Sequence, residues 1–249
     1  MAAQVDARAV LIGRLDSRYS FTSQFLAGAA LQARAAFGIE LVGTPASPSE
    51  DQCAHRSYVV GAIMQSVAAL ESEIWEVVHH GPGHHLGSNG VDGAARAFLA
   101  RVADLIDDQR TLERYECVLH LLHKAPLQIG IHPFQDAELV VGLRNEIVHY
   151  KSKWGDDLAG IKLFKGLESK NHRRPPFFPE SGVNFFPHQC LSADCAAWAV
   201  ETCAEFLATF YCHLGVIMPT SLHKSLFAAR PDEAAQRGHA ADRPQAARG

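Results

Sequence analysis

The sequence predicts an all-α protein, an up-and-down helical bundle. Three observations carry that expectation. Apolar residues recur at spacings of three and four along several long segments, as in Val59, Ile63, Val67, Leu70, Ile74 and Val77. Gly- and Pro-rich stretches such as "GTPASPSED" and "GPGHHLGSNG" punctuate the chain between those segments. Helix start and stop signals flank them: Ser192 stands as an N-cap and Gly215 as a terminator around the last apolar run.

The elements follow in chain order. Residues 1–20 stay open, because "AVLIGRL" suits a short strand as well as the start of a helix. Ser23 to Glu40 is Ala-rich and helical, with Gly38 near its end. Ser47-Pro48-Ser49-Glu50-Asp51 places Pro and acids in a first turn, and the helix it starts runs on to His80. "AARAFLARVADLIDD" and "TLERYECVLHLLHKA" read as two further helices. After the loop "PLQIGIHPF" comes a helix from about Gln135 to Lys151. Trp154 to Lys170 holds a short helix. "NHRRPPFFPESGVNFFPHQC" is too long for a simple connector, and its four Phe residues are expected to pin it onto the core. The division this suggests is an N-terminal helical extension over 1–45, a bundle over 46–228 and a disordered tail over 229–249, rich in Ala, Arg, Asp and Pro.

Composition narrows the function classes. Of 249 residues, 47% are apolar and 20% charged, a core-forming balance. The net charge of −4 argues against a strongly basic nucleic-acid coat, although a local basic site stays open. The six cysteines form no Cys-x-x-Cys pair, and no signal-like segment opens the chain, so free thiols and a cytoplasmic setting are expected. No membrane span is expected either. The nearest candidate, 195–216, carries Glu201 and Glu205 at its centre.

The helix over 135–151 contains more than packing requires. Leu139, Leu143, Ile147 and Tyr150, with Val140 beside them, fall on a core-facing side at 100° per residue. Asn145 and His149 are four apart and share another face, with Arg144 about 100° from Asn145. A cation, an amide and an imidazole along one edge make a set suited to phosphate: Arg neutralises charge, His moves protons, Asn orients a group. The plainer alternative is that Arg144 and His149 cap the helix end.

Other features compete for attention. His79, His80, His84 and His85 crowd seven residues, but the surrounding Gly loop favours solvation, and no metal or cofactor is expected. Glu71, Glu73 and Glu76 crowd one stretch of this helix, and at least two of them are expected on a solvated helix face. Arg173 and Arg174, between Phe-rich stretches, are a candidate RNA contact. The alternative is a loop held down by its Phe residues.

"LRNEIVHYK" resembles the R-x4-6-H motif of the HEPN superfamily (higher eukaryotes and prokaryotes nucleotide-binding domains), in its R-N-x-x-x-H form. The flanking segments "SYVVGAIMQSVAALESEIWEVV" and "DCAAWAVETCAEFLATFY" are similar to that family's first and closing core helices, so the likeness spans roughly 55–213. The resemblance implies a bundle that dimerises, with motif helices of two protomers forming a composite site. Many such proteins are metal-independent endoribonucleases of toxin–antitoxin and antiviral systems, acting with an antitoxin or defence partner. Others only bind or dimerise. Under the resemblance Arg144 and His149 are the motif's Arg and His, Asn145 its polar second position, and Glu71 or Glu73 the supporting acid. An unrelated bundle is the third reading.

Overall fold

The computed structural model describes residues 20–80, 93–151, 161–178, 183–223 and 226–230. The regular elements among those residues are all helical, and no strand occurs among them. The helices are α1 (Thr22–Val42), α2 (Ser49–His80), α3 (Gly93–Arg101), α4 (Ala103–Asp107), α5 (Thr111–Leu121), α6 (Phe134–Val148), α7 (Lys162–Glu168) and α8 (Ala193–Leu214). A turn at Phe185–Gln189 precedes α8, and a short 3₁₀ turn, Thr220–Leu222, follows it. The segment "AVLIGRL", His84 and His85, the first part of the 154–170 stretch, and the tail from 231 lie outside the described residues.

α2 is the centre of the bundle. It packs against α1 and α8 and also touches α5 and α6. Its stripe of Val59, Ile63, Val67, Leu70, Ile74 and Val77 is buried, as the spacing predicts. α1 belongs to the same core, because Leu26, Ala29, Ala30, Ala33 and Phe37 are buried in it. Small residues let α1 and α2 approach closely. A Cβ on Gly28 would stand 2.2 Å from Gln65 Oε1, and one on Gly61 would stand 2.0 Å from Gln32 Oε1. The two contacts reciprocate across an antiparallel pair.

By length and composition α1, and not the 195–216 segment, comes nearest to a membrane span among the described helices, with a window mean hydropathy of 1.3. Arg34 and Glu40 are its only charged residues. Arg34 donates to the Ala228 carbonyl. Glu40 enters a buried junction: its Oε1 accepts from His55 Nε2 at 2.8 Å and from the Ala193 backbone N–H at 2.7 Å. Its Oε2 faces Arg173 Nη2 at 3.4 Å. One carboxylate thereby ties α1 to α2, to the start of α8 and to the loop before it. Charge at a helix N-terminus is favourable there, and Ser192 caps the same turn by accepting from Cys195 N at 3.1 Å.

Several boundaries differ from expectation for local reasons. The single helix predicted over 94–108 breaks at Val102, whose N–H is shared between Phe98 O and Leu99 O at φ −107°, ψ 10°. α6 stops at Val148, before the predicted Lys151. Its core stripe is Phe134, Ala137, Val140 and Leu143. Leu139 and Ile147 are only partly buried, and Tyr150, beyond the helix, is exposed and leans on Phe186. The Phe-rich loop is pinned as predicted: Phe177 packs edge-on against His55 at 5.0 Å, and Phe186 stacks on Phe164 at 4.9 Å. The composition places the tail's start at 229. In the fold Ala229 is buried and Arg230 pairs with Asp194 and Glu201. Gly215 closes α8 at φ 72°, a left-handed conformation that favours glycine.

Candidate functional site

α6 carries the polar trio at the edge of its buried stripe. Leu143 is buried, so its neighbour Arg144 sits on the rim, and its side chain crosses to α2 and pairs with Glu71 Oε1. The same oxygen accepts from the Thr111 hydroxyl at 3.3 Å. Three helices, α2, α5 and α6, therefore meet at one carboxylate. The junction is only partly shielded: the Glu71 side chain is 41% exposed and that of Arg144 19%.

Arg144 and Asn145 line a groove of about 590 Å³ between α5 and α6, together with Arg110, Thr111, Arg114 and Glu138. Arg110 and Glu113 hold each other at the mouth, and their hydrogen bonding keeps the Glu113 carboxyl below the usual carboxylate range. Arg114 is fixed by the backbone carbonyls of Gln109 (2.8 Å) and Asp107 (2.6 Å). The groove thus offers guanidinium groups that are oriented before any ligand arrives, a condition for effective charge stabilisation.

His149 occupies the C-cap of α6. Its N–H donates to Asn145 O at 2.9 Å, and its ring is exposed. It is not among the residues lining the groove. The structure therefore sets Arg144 and Asn145 in one groove, pairs Arg144 with Glu71, and leaves His149 exposed at the end of the same helix.

The two candidate acids part company. Glu73 is buried against α1 and α8, accepting hydrogen bonds from the Tyr211 hydroxyl and from Thr22, and burial raises its pKa. It has no place beside Arg144. The expectation that at least two of Glu71, Glu73 and Glu76 are solvated does not hold. Glu73 is buried, the Glu76 side chain is 13% exposed, and Glu71 is engaged with Arg144. Glu73 continues the apolar stripe between Leu70 and Val77, which is why it turns inward.

Arg173 serves the Glu40 junction and lies over the Phe37 ring at 5.4 Å, while its backbone N–H donates to Asp194 at 3.0 Å. Arg174 is exposed on the same loop. Neither lines the Arg144 groove. His79 and His80 end α2, where His79 bonds Asp107 at 3.0 Å. Among the described residues no three His, Cys, Asp or Glu side chains are grouped so as to hold a metal ion.

Sequence reasoning missed Thr111, Arg110 and Arg114. A signal was present: Arg110, Glu113 and Arg114 crowd the start of a helix whose apolar face is Leu112, Tyr115, Val118 and Leu119. Comparison of the chain with protein-family models, with curated proteins and with solved structures finds no match.

Proposed function

We propose that the chain is a HEPN-type, metal-independent endoribonuclease. It acts as a cytoplasmic homodimer in stress response or phage defence, under the control of an antitoxin or another defence protein. The observation that carries this reading is the pairing of a preoriented Arg144 and Asn145 in an open groove with an exposed His149 on the same helix. In the reaction His149 takes the proton of an RNA 2′-hydroxyl, whose oxygen attacks the adjacent phosphorus. The bond to the 5′-oxygen breaks as that oxygen takes a proton from water, leaving a 2′,3′-cyclic phosphate and a 5′-hydroxyl, and Arg144 balances the charge of the phosphorane. A second protomer supplies the opposing half of the site.

The test is RNA cleavage by the purified protein with EDTA present. Arg144→Ala and His149→Ala are each expected to slow it by at least about 100-fold, the lower range for a positioned acid–base or charge-stabilising group. Cleavage that survives both substitutions sinks the mechanism.

One observation favours a second reading, a non-catalytic HEPN-like binding or dimerisation module. Arg144 already has a carboxylate partner, and the His149 ring does not line the groove. That module would form a stable dimer and leave RNA intact.

A further inference from the structure

A cavity of about 470 Å³ lies between α4 and α5 and meets the Arg144 groove only at Gln109 and Glu116. Helix phase creates it. α4 turns Ala103 and Ile106 into the core, which leaves Leu105, about 100° round from Ile106, 71% exposed. α5 buries Leu112, Tyr115, Val118 and Leu119. Its outward side then carries two rows about 100° apart, Cys117 with Leu121 and Glu116 with His120. All four of those residues line the cavity, so an apolar row and a polar row run along one wall. Val102, Leu105, Ile106 and Pro126 complete the lining with apolar surface.

Glu116 has no counter-ion. Among the described residues its carboxylate takes part in no hydrogen bond and no ion pair. The nearby guanidinium groups are engaged elsewhere, Arg110 by Glu113 and Arg114 by the carbonyls of Gln109 and Asp107. His120, one turn on, is exposed and not bonded to it. Partial burial pushes the Glu116 carboxyl up from its ordinary pKa, and the Glu113 and Glu138 carboxylates add to that push. A carboxylate so placed gains from a cation that arrives beside it.

We propose that this cavity binds a small amphiphilic ammonium ion, its apolar body against Leu105 and Leu121 and its N–H donors on the Glu116 carboxylate. The volume is that of a small-molecule pocket, and apolar walls with a few placed polar groups are how such pockets are made. A neutral apolar ligand would shield Glu116 from water without giving it a partner, which is costly. An anion would face Glu116 with Glu113 and Glu138 close behind. A protonated amine covers the leucines and answers the carboxylate together. The proposal does not depend on the RNA reading, because Arg144, Asn145 and His149 lie outside this cavity.

The experiment follows backbone amide NMR shifts of the full chain during titration with 4-phenylbutylamine, 4-phenylbutan-1-ol and 4-phenylbutanoate, which share a body and differ in head group. The amine is expected to bind at least about tenfold more tightly than the alcohol, the lower end for a hydrogen bond to a charged group, with shifts clustered on α4 and α5. The acid is expected to bind more weakly than either. Glu116→Gln keeps the shape and removes the charge, and is expected to level the amine with the alcohol. Leu105→Ser changes an exposed position and leaves the core alone. It is expected to weaken amine and alcohol alike by at least about threefold, since both lose the same apolar contact. No binding of the amine, equal binding of amine and alcohol, an amine preference that survives Glu116→Gln, or shifts scattered over the surface overturns the proposal. Sedimentation supplies the remaining check. Leu105→Ser is expected to match the unaltered chain. A smaller species would overturn the proposal by showing that a second copy covers the cavity.

Discussion

Two carboxylates each join three helices or their ends, and they do so in opposite ways. Glu40 is buried and accepts from His55, from the first N–H of α8 and from Arg173. Glu71 is partly exposed and holds Arg144 and Thr111, both of which line the groove between α5 and α6. A buried carboxylate with three donors cannot change partners without stranding them. A carboxylate at the surface loses little when water or a phosphate takes its place. The first junction therefore belongs to the fold, and the second is built where a ligand can compete.

The largest effect expected from testing that contrast is on Glu40. Glu40→Ala strands His55 and the Ala193 N–H, and is expected to cost about 3 kcal/mol or more of stability, read as a shift of the urea midpoint. A loss below about 1 kcal/mol would show that the junction is not the tie described. Next comes Glu71. Glu71→Ala is expected to change stability by less than about 1 kcal/mol. RNA cleavage under the proposed function should fall about tenfold, with partial rescue by Glu71→Gln, since an oriented guanidinium is what is lost. Equal damage to stability and cleavage would make Glu71 another Glu40.

Glu73 sharpens the contrast through pH. Burial raises its folded pKa above the ordinary 4.5, so between that value and the folded one the native state holds a proton that the unfolded chain has released. Its contribution to stability is complete below pH 4.5 and is lost as pH rises through the folded pKa. Glu73→Gln, which can still accept from Tyr211, should leave the melting temperature near pH 4 almost unchanged and raise it near pH 8. A substitution that destabilises at both pH values would refute the assignment.

The smallest effect belongs to Arg230. Asp194 is held well below the usual carboxylate range by the His172 hydrogen bond, with burial opposing and Arg173 and Arg230 assisting. Arg230 is one partner among several and is nearly half exposed, so Arg230→Ala is expected to cost less than about 1 kcal/mol. A chemical denaturation curve shifted by more than that would make the chain's last described residue a structural anchor.

What could be read in the sequence was local. Ser192 acts through its hydroxyl on the Cys195 N–H three residues on, Gly215 through its own φ, and the start of α2 through the Pro and acids of its first turn, so each is visible without the fold. The stripe of α2 was legible because its period matches a helix with one buried side. α1 was not placed in the core, because its Ala-rich pattern has little contrast between faces and only the contact with α2 decides which alanines go inside. Arg144 and Asn145 stood out as more than packing needs. That Glu71 and not Glu73 meets Arg144 depends on how α2 is rotated against α6. The bond from His79 to Asp107 required knowing that Asp107, 28 residues on, comes back beside it.

The reciprocal contacts between Gly28 and Gln65 and between Gly61 and Gln32 work as a two-toothed key. Slide α1 by one turn along α2 in one direction and the two glutamines collide. Slide it the other way and the glycines face each other across a gap, with neither side chain to fill it. The hairpin has one alignment in which both teeth seat, so the glycines fix the register of α1 against α2 as well as their closeness.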